Sequence, residues 1–197
     1  MSISNLSPLV RNGLHILIVI ASVGLCLILL PSRLPGMEIL GTGPSWLVMW
    51  IIIWSLNRSI WHAATAGIVL GLIQDGMTFP AAATLGTLPT HVLSLTIVGV
   101  LAFWLHKQRY LDNTILSASI AAFFLTLVSE FVTGLQYFLE TAIQQSPVAS
   151  VDSLNYLWTN QSSVVLIAAI LSGLWMPILY YPLNFWWQKI SVTSKFG

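Results

Sequence analysis

Six apolar runs dominate this chain, and its few basic residues fall almost entirely at alternate ends of them. The runs cover roughly 14–31, 44–57, 59–75, 84–105, 114–139 and 162–187. A helix needs ~20 apolar residues to cross ~30 Å of hydrocarbon, so the second and third runs are short. They are expected to form a tight hairpin turning at Asn57 and Arg58, rather than one re-entrant element over 44–75. The 197 residues include seven Lys or Arg and six Asp or Glu. A soluble surface carries roughly a quarter of its residues charged. The expected class is an all-α membrane protein: one transmembrane domain over 1–197, built as a six-helix bundle.

Charge placement orients the bundle. With the N-terminus in the cytoplasm, Arg11, Arg58, Lys107, Arg109, Lys189 and Lys195 are inside and only Arg33 is outside, joined there by Glu38 and Asp152. Basic residues concentrate on cytoplasmic loops, and an odd number of spans would put Lys189 and Lys195 on the wrong side. Both termini are therefore expected in the cytoplasm. The apolar stretch of the first run exceeds the usual ~7–15 residues of a leader core, and no A-x-A site follows. It is expected to be a permanent anchor. Cys26 is the single cysteine, so the chain forms no internal disulfide and its compartment is not readable from redox chemistry. A net charge of +1 gives no sign of nucleic-acid binding.

The longest segment outside the spans is 141–161, where Tyr156 and Trp158 read as interfacial anchors. Leu40-Gly41-Thr42-Gly43-Pro44-Ser45 and Leu85-Gly86-Thr87-Leu88-Pro89-Thr90 look alike. Both mark starts of inward-running helices, where Thr can cap and Pro suits an early turn, so helix-start chemistry explains them without duplication.

Ionisable groups inside hydrocarbon are costly and each needs a reason. Asp75 ends the third run, His91 lies about two turns into the fourth, and Glu130 lies in the outer half of the fifth. The topology gives all three a similar outer depth. Thr84, Thr87, His91 and Ser94 share one helix face; Ser119, Thr126, Glu130, Thr133 and Tyr137 share another. Such stripes avoid lipid by facing each other or a wet cavity. They form either an outward-opening polar pocket or partner grip, or a hydrogen-bond network that sets helix register.

Other features have plain readings beside sharper ones. Ala63, Gly67 and Gly71 make a small-xxx-small ridge that admits another backbone, from this chain or a partner. Trp46, Trp50 and Trp54 recur at i, i+4, i+8, and Trp50 at mid-depth suits a core contact, a lipid or a partner helix. His62 reads as snorkelling beside the cytoplasmic turn. Tyr180, Tyr181, Trp186 and Trp187 form an inner belt, and Pro177 and Pro182 are expected to bend the last helix. The four histidines have no metal-ligand spacing, so no metal and no cofactor are expected. No H-E-x-x-H, G-x-S-x-G, phosphate-binding glycine loop or C-x-x-C occurs, so catalysis is disfavoured.

Gly71-Leu72-Ile73-Gln74-Asp75, followed by Leu85-Gly86 and a further apolar helix, resembles the MreD family of bacterial rod-shape-determining membrane proteins. That family has Gly-Leu-x-x-Asp near the end of its third span and Leu-Gly opening the next. Here the gap is longer, with Phe79-Pro80-Ala81-Ala82-Ala83 between them. The resemblance implies a non-enzymatic scaffold of cell elongation in the bacterial inner membrane, beside the single-span protein MreC. It also implies a six-helix core similar to the substrate-binding subunits of energy-coupling-factor transporters. Asp75 is the position carried over from the family, with Gly86 and Pro89 shaping the outer turn. The competing expectation is a solute-binding subunit of an uptake transporter, with Asp75, His91 and Glu130 around an outward pocket. A scaffold predicts a single-span partner, sensitive to Ala63→Leu, Gly67→Leu or a change at Trp50. A transporter subunit predicts solute binding lost in Glu130→Gln or His91→Ala.

Overall fold

The computed structural model describes residues 8–32, 36–56, 58–78, 90–111, 114–144 and 162–194. Arg33, Asn57, 79–89, Asp152, Tyr156, Trp158 and Lys195 lie outside them, and with them the expected outer turn at Gly86 and Pro89. Among the described residues there are six helices: α1 (Pro8–Leu29), α2 (Trp46–Ser55), α3 (Ile60–Thr78), α4 (Thr90–Lys107), α5 (Ile115–Gln144) and α6 (Ser162–Ser194). No strand is found among them; the closest approach is a bridge between Ile39 and Thr42. That bridge closes a two-residue turn, with Leu40 at φ 53° and Gly41 at φ 77°. Positive φ at both central residues is what a type I′ hairpin turn requires.

The second and third runs are two helices, as expected, but α2 is shorter than its run. Its 10 residues reach only ~15 Å, about half the hydrocarbon thickness. Among the described residues three stretches are long and apolar enough to cross a bilayer: Thr90–Lys107, Ile115–Leu139 and Ser162–Trp187. Gly13–Leu29 is apolar and slightly shorter. The last two helices continue past their runs, α5 to Gln144 and α6 to Ser194, and α6 runs through Pro177 and Pro182 without interruption.

α2 explains the architecture. From Trp46 to Ile53 every side chain is buried, and Trp54 is the only half-buried residue before Leu56. A helix apolar on all sides is stable only when surrounded. α2 is in contact with each of the other five helices, so it forms the centre of the bundle. Trp50 is 2% exposed, its Nε1–H donates to Ser22 Oγ at 2.9 Å, and its ring stacks on Trp54 at 5.2 Å. Of the readings open for Trp50, the fold adopts the core contact.

Around α2 the helices pair as α3 with α4 and α5 with α6. The α3/α4 seam is the tighter, because the small-residue ridge lies in it. A Cβ on Gly67 would meet Thr96 Cα at 2.6 Å, and one on Gly71 would collide with Val92 Cα. From the other side, a Cβ on Gly99 would lie 2.8 Å from the Ala63 carbonyl oxygen. The ridge is thus occupied by α4 of the same chain. Outward faces stay apolar: Leu166, Ile170, Leu174 and Ile178 make a four-spaced exposed row on α6. Such a surface fits hydrocarbon and not water.

Any side chain at Gly71 must push two backbones apart. Gly71→Ala is expected to destabilise the bundle by ~1–3 kcal/mol through overpacking. Gly76→Ala, on the same helix but with open space around it, should be neutral or mildly stabilising because alanine is the better helix former. Denaturant titration of the two variants in detergent checks this. Equal effects would show that the seam is not tight.

Candidate functional site

Asp75 lies in the last turns of α3, directly beside the first turn of α4. The first N–H groups of a helix have no partner within it, and its N-terminus carries a partial positive charge. Asp75 supplies both missing terms. The His91 N–H donates to its Oδ1 at 3.0 Å and Oδ2 at 3.2 Å, and the Val92 N–H donates to Oδ2 at 3.3 Å. The Thr90 hydroxyl donates to Oδ1 at 3.4 Å. The carboxylate is 5% exposed, so these bonds form where water cannot substitute. The cap on α4 thus comes from a neighbouring helix. At α2 likewise, Ser45 makes no side-chain cap, and its N–H donates to Ser172 Oγ of α6 at 2.9 Å.

His91 adds a side-chain contact to the same carboxylate, with Nδ1 2.7 Å from Asp75 Oδ1. With Asp75 as acceptor, Nδ1 carries the ring proton and Nε2 is left for another partner. Ser94 Oγ donates back to the His91 carbonyl at 3.1 Å, which holds the turn. Asp75 and His91, 16 residues apart in sequence, thus form one unit that joins α3 to α4.

Glu130 enters from α5. It is half-buried and, with His91, Gln74, Ser129 and Thr133, lines a cleft of about 260 Å³. The floor is the segment Thr42–Val48, including the first turn of α2, and one wall is Val164, Val165 and Ala168 of α6. The structure therefore places Asp75, His91 and Glu130 at one end of the bundle, with His91 between the two acids. Thr84 and Thr87 of the proposed stripe lie outside the described residues. Of the α5 stripe, Thr133 reaches the cleft, Thr126 is fully buried and Tyr137 is largely exposed. Among the described residues no group of three or more His, Cys, Asp or Glu stands at metal-binding distance.

Sequence reasoning missed Gln74, Ser129 and the Thr42–Val48 floor. Gln74 had the detectable signal, since it adjoins Asp75 in the same polar helix end. The floor had none, because its approach to α5 and α6 depends on how deep α2 sits. At the opposite end, Arg58 contacts His15 and Trp54, a cluster that spacing could not indicate.

A family model described as rod shape-determining protein MreD matches residues 11–188, nearly the whole chain. No curated protein and no solved structure matches.

The cap makes a local prediction. Asp75→Ala should cost ~0.5–2 kcal/mol, the usual range for a lost helix cap. It should also speed hydrogen exchange at the His91 and Val92 amides, with little change at the far end of α4. Asp75→Asn keeps an acceptor and should lie between. Peptide-level exchange mass spectrometry measures this, and unchanged protection at 91–92 would mean that the carboxylate does not cap α4.

Proposed function

The chain belongs to the MreD family and is a rod-shape-determining membrane protein; we propose that it acts as a non-enzymatic scaffold of the cell-elongation machinery. In this reading it spans the bacterial inner membrane six times, with both termini in the cytoplasm, and pairs with an MreC-like single-span protein. α2 then counts as a short central span, and the core has the architecture of energy-coupling-factor substrate-binding subunits. The observation that carries the proposal is the family match over 11–188. Family membership lends nothing to the solute-uptake alternative.

The roles of the candidate residues follow from this reading. Ala63, Gly67 and Gly71 serve the scaffold by seating α4, and Trp50 serves it by fixing α2 against α1. Asp75 and His91 lock the α3/α4 end, and Glu130 faces the cleft beside them. A partner helix then has the outward apolar faces available, such as the α5 face bearing Phe124 and Phe131, 59% and 68% exposed. Substitution of the internal ridge weakens partner binding only through the bundle's own stability.

Detergent pull-down with mass spectrometry tests the proposal. The expected result is recovery of a single-span wall-elongation protein, retained in Glu130→Gln and reduced in Gly71→Leu in proportion to lost accumulation. Recovery of only ATPase and coupling subunits overturns the scaffold. Phosphatase and fluorescent-protein fusions at the two tails test the topology, and activity of a phosphatase fused at either tail would refute a cytoplasmic placement.

A further inference from the structure

At the end of the bundle opposite Asp75, the described residues hold a cation, Arg58, with no carboxylate beside it. Arg58 sits in the turn between α2 and α3, half-buried, with its guanidinium carbon 4.6 Å from the Trp54 ring centroid. One Nη2–H is directed at His15 Nε2 at 2.6 Å. Trp54 in turn packs edge-on against Trp187 at 5.5 Å and tilts against the His15 ring at 6.4 Å. The arginine plane is therefore held by an aromatic face below and an imidazole at its edge. Among the described residues no carboxylate pairs with it.

The same cluster has donors in excess. A guanidinium has several N–H groups, and the contact with His15 uses one. The indole N–H groups of Trp54 and Trp187 are buried with no acceptor among the described residues. His15 Nε2 is already engaged as the acceptor for Arg58. Those indole N–H groups are closed to any ligand from outside, whereas the half-buried Arg58 keeps guanidinium N–H groups that an external acceptor can meet. The complement of an oriented guanidinium is an oxyanion, and phosphate meets the planar fork in a bidentate manner. His15 and Trp187 stand at the ends of the apolar stretches Gly13–Leu29 and Ser162–Trp187, and the end of an apolar span is where a bilayer presents its headgroups.

We propose that Arg58, held over Trp54 and against His15, binds a phosphate-group oxyanion, as carried by an anionic phospholipid headgroup. Phosphate headgroups lie on both faces of a bilayer, so the assignment is independent of which side the turn faces. It is also independent of the scaffold reading, because binding involves no partner protein.

The test uses the full chain in zwitterionic detergent, titrated with short-chain phosphatidylglycerol, with thermal unfolding as the readout. A ligand that binds the folded state raises the unfolding midpoint in a saturable way. Phosphatidylglycerol is expected to raise it and phosphatidylcholine to do so much less. Arg58→Gln should weaken the half-saturation concentration about tenfold, as expected for loss of a charge-assisted hydrogen-bonded pair. Arg58→Lys, which keeps the charge but not the fork, should weaken it roughly threefold, and it carries the comparison if Arg58→Gln fails to fold. Arg109→Gln, at an exposed arginine in the 108–111 turn, should leave it unchanged. A response to inorganic phosphate that equals phosphatidylglycerol and is lost in Arg58→Gln supports the oxyanion site and assigns its ligand to solution. Equal responses to the two lipids, or equal losses in Arg58→Gln and Arg109→Gln, overturn the proposal.

Discussion

The bundle depends on the contact between α3 and α4, where two backbones approach with almost no side chain between them. In hydrocarbon, apolar side chains gain nothing by leaving lipid for one another, so association rests on close packing and hydrogen bonds. Gly67, Gly71 and Gly99 allow the packing, and Asp75 provides the hydrogen bonds by taking up the first N–H groups of α4. The two devices reinforce each other. The carboxylate reaches the amides of His91 and Val92 only because the seam is close, and the seam stays in register because the carboxylate marks one turn of α4. Sliding α4 by one turn would take Val92 and Thr96 off their glycines and leave the cap unfilled.

α2 solves a different problem. A half-length helix does not span hydrocarbon alone, and its end groups need partners inside the protein. Ser172 of α6 receives the Ser45 N–H, and Ser22 of α1 receives the Trp50 indole. These bonds tie the first and last helices to the centre. The first turn of α2 also lines the cleft that His91 and Glu130 line from α4 and α5.

Much of this was legible in the chain. Rare ionisable groups at matched depth marked Asp75, His91 and Glu130, because a charge in an apolar helix stands out whatever the fold. The spacing of Ala63, Gly67 and Gly71 marked a surface for close approach. Spacing is silent on who approaches, so the alternatives of partner and self stayed open until α4 was seen against it. Trp50 shows the same limit: an aromatic at mid-helix suits lipid, partner or core equally, and only full burial of α2 separates them. The starts of α2 and α4 show a related limit. Each helix start found a better acceptor or donor on another helix, which a local motif does not record.

What the sequence determined by itself was the helical class, the approximate runs and the arrangement of charge, together with motifs that resemble one family. These are properties of neighbouring residues, since hydropathy and turn chemistry act over a few positions. Only the tertiary structure decided that Asp75 caps α4, that the glycine ridge faces inward, that α2 is a central half-length helix, and that His15 and Arg58 meet across 43 positions. Those outcomes depend on distances between segments far apart in the chain, and no periodicity within a single segment encodes them.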